Sequence, residues 1–325
     1  MKIKNGMGRI LIMAAAKSMG RRFRDLVENG EPHVLPGVFS AQCAKIAEAA
    51  GFKGIGVSGY SLSATLLGQP DVGLTTMSEV VQFTGYICDA VKIPVLADAD
   101  TGFGNAINVM RTTEQLIKAG VGGLFIEDQV APKRCGHVAG KEIISLDEAE
   151  GKYRAAVKVR DALDPDVVLI ARCDARGVAG GSVAEVVRRC RAYKAAGVDV
   201  IFPEGLLSRD ELAEVSGAVD APILYNRTGV SPNLSFDEMR GLRIAFVVNA
   251  GGALRAAARA MWDYLHDFAK EDAAFDERFN KAIQSHPVGD LHAFVGFPAI
   301  RRLEEEFLPR EEMQRRYEGS LGFRP

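Results

Sequence analysis

Short apolar runs alternate with amphipathic stretches along most of the chain. The runs are VLPGVFS (34–40), GIGVSGY (54–60), PVLADAD (94–100), GLFIEDQ (123–129), VLIARCDA (168–175), VIFPEG (200–205), PILYNR (222–227) and AFVVNAG (245–251). Such continuous apolar runs suit strands covered on both faces of a parallel sheet. Between them, SAQCAKIAEAAG (40–51), AINVMRTTEQLIKAG (106–120) and SVAEVVRRCRAYKAAG (182–197) carry helical periodicity. Several of these end in Ala-Gly, where glycine takes the left-handed conformation that stops a helix. Eight β–α units in about 215 residues predict an α/β fold, the (β/α)8 TIM barrel, with a doubly wound open sheet as the alternative.

The polar positions favour the barrel. Strand after strand begins apolar and finishes polar, at Ser58, at Asp98 and Asp100, and then at Glu127, Arg172, Glu204 and Asn226. In a (β/α)8 barrel the C-terminal ends of the strands form the active-site mouth and the rest of each strand is packing. Taken singly, each residue reads more safely as a surface group at a strand end. The pattern predicts a barrel domain over 21–255, an N-terminal extension over 1–20 and a C-terminal helical segment over 256–325. Residues 253–272 and 299–319 read as helices that close the barrel or pack on a neighbouring subunit.

Composition narrows the class. Apolar residues make up 47% and charged residues 25% of 325, with a formal net charge of −2. That balance suits a globular protein with a full-sized core, and it gives no electrostatic pull towards nucleic acid. Five cysteines, at 43, 88, 135, 173 and 190, are odd in number and form no C-x-x-C pair, which fits a reducing cytoplasm rather than a disulfide framework. No apolar run approaches the roughly 18 residues of a membrane span. Lys2, Lys4 and Arg9 before ILIMAAA (10–16) faintly imitate a signal peptide, but Lys17, Arg21 and Arg22 follow at once. An overlong start, with Met13 or Met19 as the first residue, is the favoured reading.

GIGVSG (54–59) matches G-x-G-x-x-G, yet a helical stretch precedes it, where a dinucleotide site needs a strand before the first glycine and a helix at the third. These glycines are read as lying inside the strand, where they let Ser58 and the Gly59 backbone approach a ligand closely. DADTGFGN (98–105) says more. Residues two apart on a strand point the same way, so Asp98 and Asp100 are predicted to face one cavity, with Glu127 arriving from the next strand. Carboxylates sharing a dry pocket repel unless a cation sits with them. Three hard oxygen donors suit Mg²⁺ that keeps several waters, with Mn²⁺ as the alternative ion; an ion-paired network with Arg172 is the other reading.

The remaining motif is APKRCGHVAGKEIIS (131–145), with Cys135 between Lys133, Arg134 and the Gly136–His137 pair. On its own the motif leaves Cys135 open as an acid, as a nucleophile paired with His137, or as an inert loop thiol. The glycines at 136 and 140 suit a mobile lid.

Together, DADTGFGN, IEDQ and KRCGH resemble the isocitrate lyase/phosphoenolpyruvate mutase superfamily from about residue 20 to about 255. Within it the chain looks like the 2-methylisocitrate lyases, 2,3-dimethylmalate lyases and oxaloacetate hydrolases. The resemblance implies Mg²⁺-dependent cleavage of a C–C bond in a small 2-hydroxy- or 2-oxo-dicarboxylate or tricarboxylate. It implies Asp100 as a direct metal ligand, and Asp98 and Glu127 as ligands through water. Ser58, Gly59 and Tyr60 would bind the α-oxyacid end, and Cys135 would protonate the carbanion. Lys133, Arg134 and His137 would either steady its charge or make the thiol more acidic. Arg172, Glu204, Asn226, Asp71 and Gly136 would complete the pocket. A phosphonate mutase and a catalytically retired metabolite-binding barrel are the rival functions. A homotetramer, with a C-terminal helix exchanged between subunits as one arrangement, is implied as well. The pattern breaks after the seventh strand. Where methylisocitrate lyases carry N-[IM]-x-E-x-G-x-T-P, this chain reads NRTGVSP (226–232), two residues shorter, with Gly229 in place of the acid. Tyr60 also stands where a smaller residue is common.

Overall fold

A computed structural model describes residues 17–227 and 229–322. The signal-like stretch before Lys17 lies outside the described residues. The chain divides into two compact units, one ending at Arg255 and one beginning at Ala256.

In the first unit the elements run α1 (Met19–Glu28), β1 (His33–Val38), α2 (Ala41–Ala49), β2 (Ile55–Val57), α3 (Gly59–Leu62), α4 (Met77–Ala90), β3 (Val95–Asp98), α5 (Ala106–Lys118) and β4 (Gly123–Glu127). They continue with α6 (Leu146–Leu163), β5 (Val168–Cys173), α7 (Val183–Ala195), β6 (Val200–Pro203), α8 (Arg209–Ala218), β7 (Ile223–Asn226), α9 (Phe236–Gly241) and β8 (Ile244–Asn249). All eight predicted runs are strands, paired in parallel and in order, and β1 closes on β8 through His33↔Phe246 to Pro36↔Asn249. The closed barrel replaces the open-sheet alternative.

Two apolar layers hold it. Inside the barrel, Leu35, Leu96, Phe125, Ile170, Phe202, Leu224 and Phe246 fill the bore. The bottom is plugged by Phe23 of α1, whose ring stacks on Phe246 at 4.5 Å. Outside, Leu116, Leu124, Tyr153, Val186, Tyr193 and Val215 pack helices on strands. The helices start where short polar side chains cap them: Ser40, Thr76, Asn105, Ser145, Ser182, Ser208 and Ser235 each accept a backbone N–H from the first turn. With its bore filled below, the barrel opens at its upper mouth.

Beyond β8 run α10 (Gly252–Glu271), α11 (Ala273–Ile283), α12 (Leu291–Val295), α13 (Phe297–Phe307) and α14 (Arg310–Tyr317). The helix predicted over 299–319 is thus two. Proline at 309 lacks the N–H a helix needs and disfavours a helical residue before it, so α13 ends at Phe307 and Leu308 has extended backbone. Among the described residues no helix is long and apolar enough to cross a membrane, and all five cysteines are free thiols.

Two local expectations are corrected. The third glycine of GIGVSG does open a helix, the single turn α3, capped by the Ser58 hydroxyl; what excludes a dinucleotide fingerprint is the helix α2, not a strand, ahead of the first glycine. Asp98 ends β3, and Asp100 lies beyond it with φ of +46°. Strand alternation therefore does not bring the two carboxylates together. A left-handed turn does, closed by the Asp100 N–H donating to Asp98 Oδ1 at 3.0 Å.

Candidate active site

The strand ends deliver their polar groups to one cavity of about 520 Å³ at the mouth. Ser58, Tyr60, Asp71, Asp98, Cys135, Gly136, His137, Arg172, Glu204 and Asn226 all line it. The other predicted residues stand one contact behind the wall. Gly59 donates its N–H to Asp98 Oδ2 at 3.0 Å. Asp100 meets Lys133, and Glu127 meets Arg172.

The acids on the β3 side are gathered by backbone geometry and one lysine. A Cβ built on Gly59 would lie 2.8 Å from Asp98 Oδ2 and 3.2 Å from Asp100 Oδ1, so only glycine lets the α3 turn sit against both carboxylates. The Lys133 ammonium is 4% exposed and lies 2.6 Å from Asp71 Oδ1 and 2.8 Å from Asp100 Oδ1. Burial opposes its charge, but Asp100, Glu127, Asp98 and Asp71 outweigh that and hold it well above the usual lysine range. Burial also pushes Asp100 up to about 6, against the pull of Lys133.

Glu127 is the least satisfied group. It is 1% exposed, and neither carboxylate oxygen has a hydrogen-bond partner, although Arg172 Nη1 lies 3.2 Å from Oε2. Burial pushes its carboxyl well above the ordinary glutamate value. Asp100 Oδ1 likewise has its ion pair but no aligned hydrogen bond. Buried orphan oxygens of this kind are costly and call for a ligand. Hard oxygens, a glycine-made cradle and unfilled lone pairs fit a divalent cation. Among the described residues, no three His, Cys, Asp or Glu side chains are arranged to grip an ion unaided. The acids therefore suit an ion that keeps part of its water.

Arg172 organises the opposite wall. Its Nε and Nη2 donate to Asp174 at 2.9 and 3.1 Å, and its guanidinium lies 5.3 Å above the Phe202 ring. Asn226 donates to Glu204 Oε2 at 3.0 Å, and its amide nitrogen stands 2.9 Å from His137 Nε2. This Glu204–Asn226–His137 chain joins β6 and β7 to the loop carrying Cys135.

That loop crosses the mouth. It is closed at its base by Val130 N–H to Glu142 O and by the Gln129↔Ile143 bridge. The Gln129 side chain spans it, accepting from Arg134 N–H at 2.9 Å and donating to Arg134 O at 3.0 Å. The Cys135 N–H donates to Asp71 O at 3.1 Å. Gly136 has no room for a side chain, because a Cβ there would collide with Arg172 Nη2. Burial pushes the Cys135 thiol above its ordinary value, so it keeps its proton at neutral pH.

The structure also brings in residues that the sequence reading passed over. Asn249, at the end of β8, and Arg255, in the first turn of α10, line the cavity. Asn249 Oδ1 is a buried orphan. The polar-strand-end rule, extended to the eighth strand, finds Asn249; nothing in the local sequence finds Arg255. Asp174 directly follows β5, two residues beyond Arg172. Arg227, added in the shortened loop, also lines the cavity; its Nη2 donates to Leu234 O at 3.0 Å and its guanidinium lies over Phe236, so it braces the loop. Gly229 is compulsory there: it has φ of +72°, and a Cβ would strike the His137 ring.

A (β/α)8 barrel that gathers acids, cations and a proton-bearing thiol at its mouth has its polar groups where enzymes of this fold carry their active sites. The comparisons with known proteins place it more closely. Residues 23–269 match the family model described as phosphoenolpyruvate phosphomutase. The chain is 40% identical over 301 residues to a 2-methylisocitrate lyase of Aeropyrum pernix, covering 91% of this chain and 96% of that one. It is 38% identical over 288 residues to a 2,3-dimethylmalate lyase of Eubacterium barkeri, covering 88% and 97%. A crystal structure of 2,3-dimethylmalate lyase, described as a member of the PEP mutase/isocitrate lyase superfamily, aligns with a TM-score of 0.82 at 30% identity over 95% of this chain and 100% of that one. The chain belongs to the PEP mutase/isocitrate lyase superfamily, and it is an enzyme of carbon–carbon lyase type.

Proposed function

We propose that the protein cleaves a C–C bond in a small 2-hydroxy di- or tricarboxylate of the 2-methylisocitrate or 2,3-dimethylmalate type, releasing pyruvate or a related 2-oxo acid, with Cys135 as the general acid. The observation that carries this reading is the Cys135 thiol, kept protonated by burial, lining the same cavity as Asp98 and Arg172. A carbanion released by bond cleavage needs a donor that still holds its proton at neutral pH, and such a thiol does.

Asp100 would hold Mg²⁺ (or Mn²⁺) directly, with Asp98 and Glu127 reaching it through water. When bound, the ion supplies positive charge to the α-oxyacid end of the substrate. The orphan oxygens of Glu127 and Asp100 support this assignment. Ser58, the Gly59 backbone and Tyr60 bind that same end. Lys133, buried among the acids, and Arg172 oppose the negative charge that develops. Gly136, His137, Glu204 and Asn226 shape the distal wall, where the shortened loop and compulsory Gly229 set substrate size. Asp71 positions the thiol turn through its carbonyl and anchors Lys133 through its carboxylate.

The test is product release from 2-methylisocitrate, 2,3-dimethylmalate, isocitrate and oxaloacetate with Mg²⁺ and with EDTA. No turnover of any of the four would sink the lyase reading. The family's phosphomutase description keeps a phosphonate mutase as the second reading; a new P–C bond seen by phosphorus NMR would select it.

Assembly into a homotetramer of the cytoplasm completes the reading. The support is the apolar residues that the C-terminal helices leave exposed, among them Trp262 at 70% and Phe307 at 72%. Light scattering that finds a monomer would reject it.

A further inference from the structure

Behind the cysteine turn lies a second buried lysine that the chemistry above does not use. Lys141 is 5% exposed. Its ammonium donates to the Gly136 carbonyl at 2.7 Å and to Asp174 Oδ1 at 2.9 Å. Asp174 is fully buried and receives both Nε and Nη2 of Arg172. Gly136 in turn rests against the Arg172 guanidinium, with no space for a Cβ. The contacts close a ring that runs from the Gly136 carbonyl through Lys141, Asp174 and Arg172 back to Gly136.

Two features mark this ring as built rather than incidental. A buried ammonium costs several kcal/mol unless its protons are well used, and here one proton is spent on a backbone carbonyl next to the proposed acid. The seat for it is made by a second glycine: a Cβ on Gly177 would lie 2.5 Å from Lys141 Nζ and 2.9 Å from its Cε. Lys133 ties the same loop to Asp71 and Asp100 on the other side of Cys135. The thiol is thus slung between two lysine anchors. Only the front anchor touches the acids that would hold the cation.

We propose that Lys141 is a positioning residue: its ammonium staples the Cys135–Gly136 turn onto the Arg172–Asp174 pair and so holds the thiol in place over the cavity. The use of that thiol as an acid rests on the proposed lyase reading; the staple itself does not.

The test therefore reads the thiol directly. In Lys141→Met, Asp174 keeps both bonds from Arg172, while the Gly136 carbonyl loses its donor. Iodoacetamide labelling, followed by peptide mass spectrometry with Cys43 and Cys88 as internal references, is expected to show Cys135 reacting about tenfold faster than in the wild type, the references unchanged. Gly177→Ala keeps the lysine but crowds its ammonium, and is expected to give a smaller acceleration in the same direction. If the chain turns over substrate, kcat falls by 10- to 100-fold in Lys141→Met with KM within about threefold, because orientation rather than binding is lost. Unchanged Cys135 labelling in both folded variants overturns the proposal. So does equal acceleration of all three cysteines, which would make Lys141 a general support of the fold. Because labelling needs no substrate, a wild type without lyase activity would reject the lyase reading and leave this test intact.

Discussion

The two ends of the barrel each carry a network of acids and cations, and they are finished differently. At the N-terminal end Asp199 takes Arg24 on Oδ1 at 2.9 Å, and Arg160 with the Leu169 N–H on Oδ2 at 2.6 and 2.8 Å. Arg24 spends its remaining donors on the carbonyls of Pro165, Asp166 and Val167. Both oxygens of Asp199 are hydrogen-bonded. At the C-terminal end Glu127 is sealed from water with neither oxygen hydrogen-bonded, and Asp100 Oδ1 has an ion pair without an aligned bond. A carboxylate placed for stability is saturated by its own chain; one placed for a ligand is left short.

That contrast is open to attack from both ends. The largest effect is expected for Cys135→Ser, which lowers cleavage by about 10³-fold or more while substrate still binds; isothermal titration beside turnover checks it, and wild-type rates in the mutant would remove Cys135 as the acid. Next, Glu127→Gln lowers turnover by about 10²-fold, yet the metal-free protein melts no lower, because a desolvated charge has been relieved. A melting point several degrees below wild type would mean that Glu127 is structural after all. At the bottom the reverse holds. Asp199→Asn costs about 3 kcal/mol in chemical denaturation by stripping Arg24 and Arg160 of their partner, and leaves kcat unchanged well below the melt.

A pH profile tests the link between the rim and the loop. Burial opposes ionisation of Asp174, but Arg172 and Lys141 outweigh it and hold the carboxyl down to about 2, against an ordinary value of 3.8. Because the folded value is the lower one, this contribution of about 2 kcal/mol is complete above pH 4 and is lost as pH falls towards 2. The difference in stability between wild type and Asp174→Asn should shrink across that interval; a constant difference would show that the aspartate is not held ionised by its cations. The smallest effect is at Gly229→Ala, where a left-handed backbone and the His137 ring both oppose a side chain. It should cost about 1 kcal/mol and raise KM a few-fold, with kcat nearly intact.

Much of this was legible along the chain. All eight strands lie where apolar runs end in polar residues, because the same backbone period that buries a parallel strand also exposes its C-terminal end at the mouth. Ser58, Asp98, Arg172, Glu204 and Asn226 were found by that logic, and KRCGH by its likeness to a family. Asp98 and Asp100 were expected together for the wrong reason. Alternation along β3 stops at Asp98, and it is the left-handed Asp100 that turns its carboxylate back. Asp174 directly follows β5 but escaped notice because Arg172 already stood as that strand's polar end, and Lys141 lies outside the recognisable core of the motif. Their worth lies in each other, across 33 residues.

The sequence alone determined the architecture and the kinds of groups at the rim, since periodicity and strand-end polarity are local properties that each segment carries by itself. The tertiary structure alone decided which acids are satisfied and which are left open, which cation lies between which carboxylates, and how the Cys135 turn is fastened. Those are matters of three-dimensional proximity and burial, and both arise only when residues distant in the chain exclude water from one another.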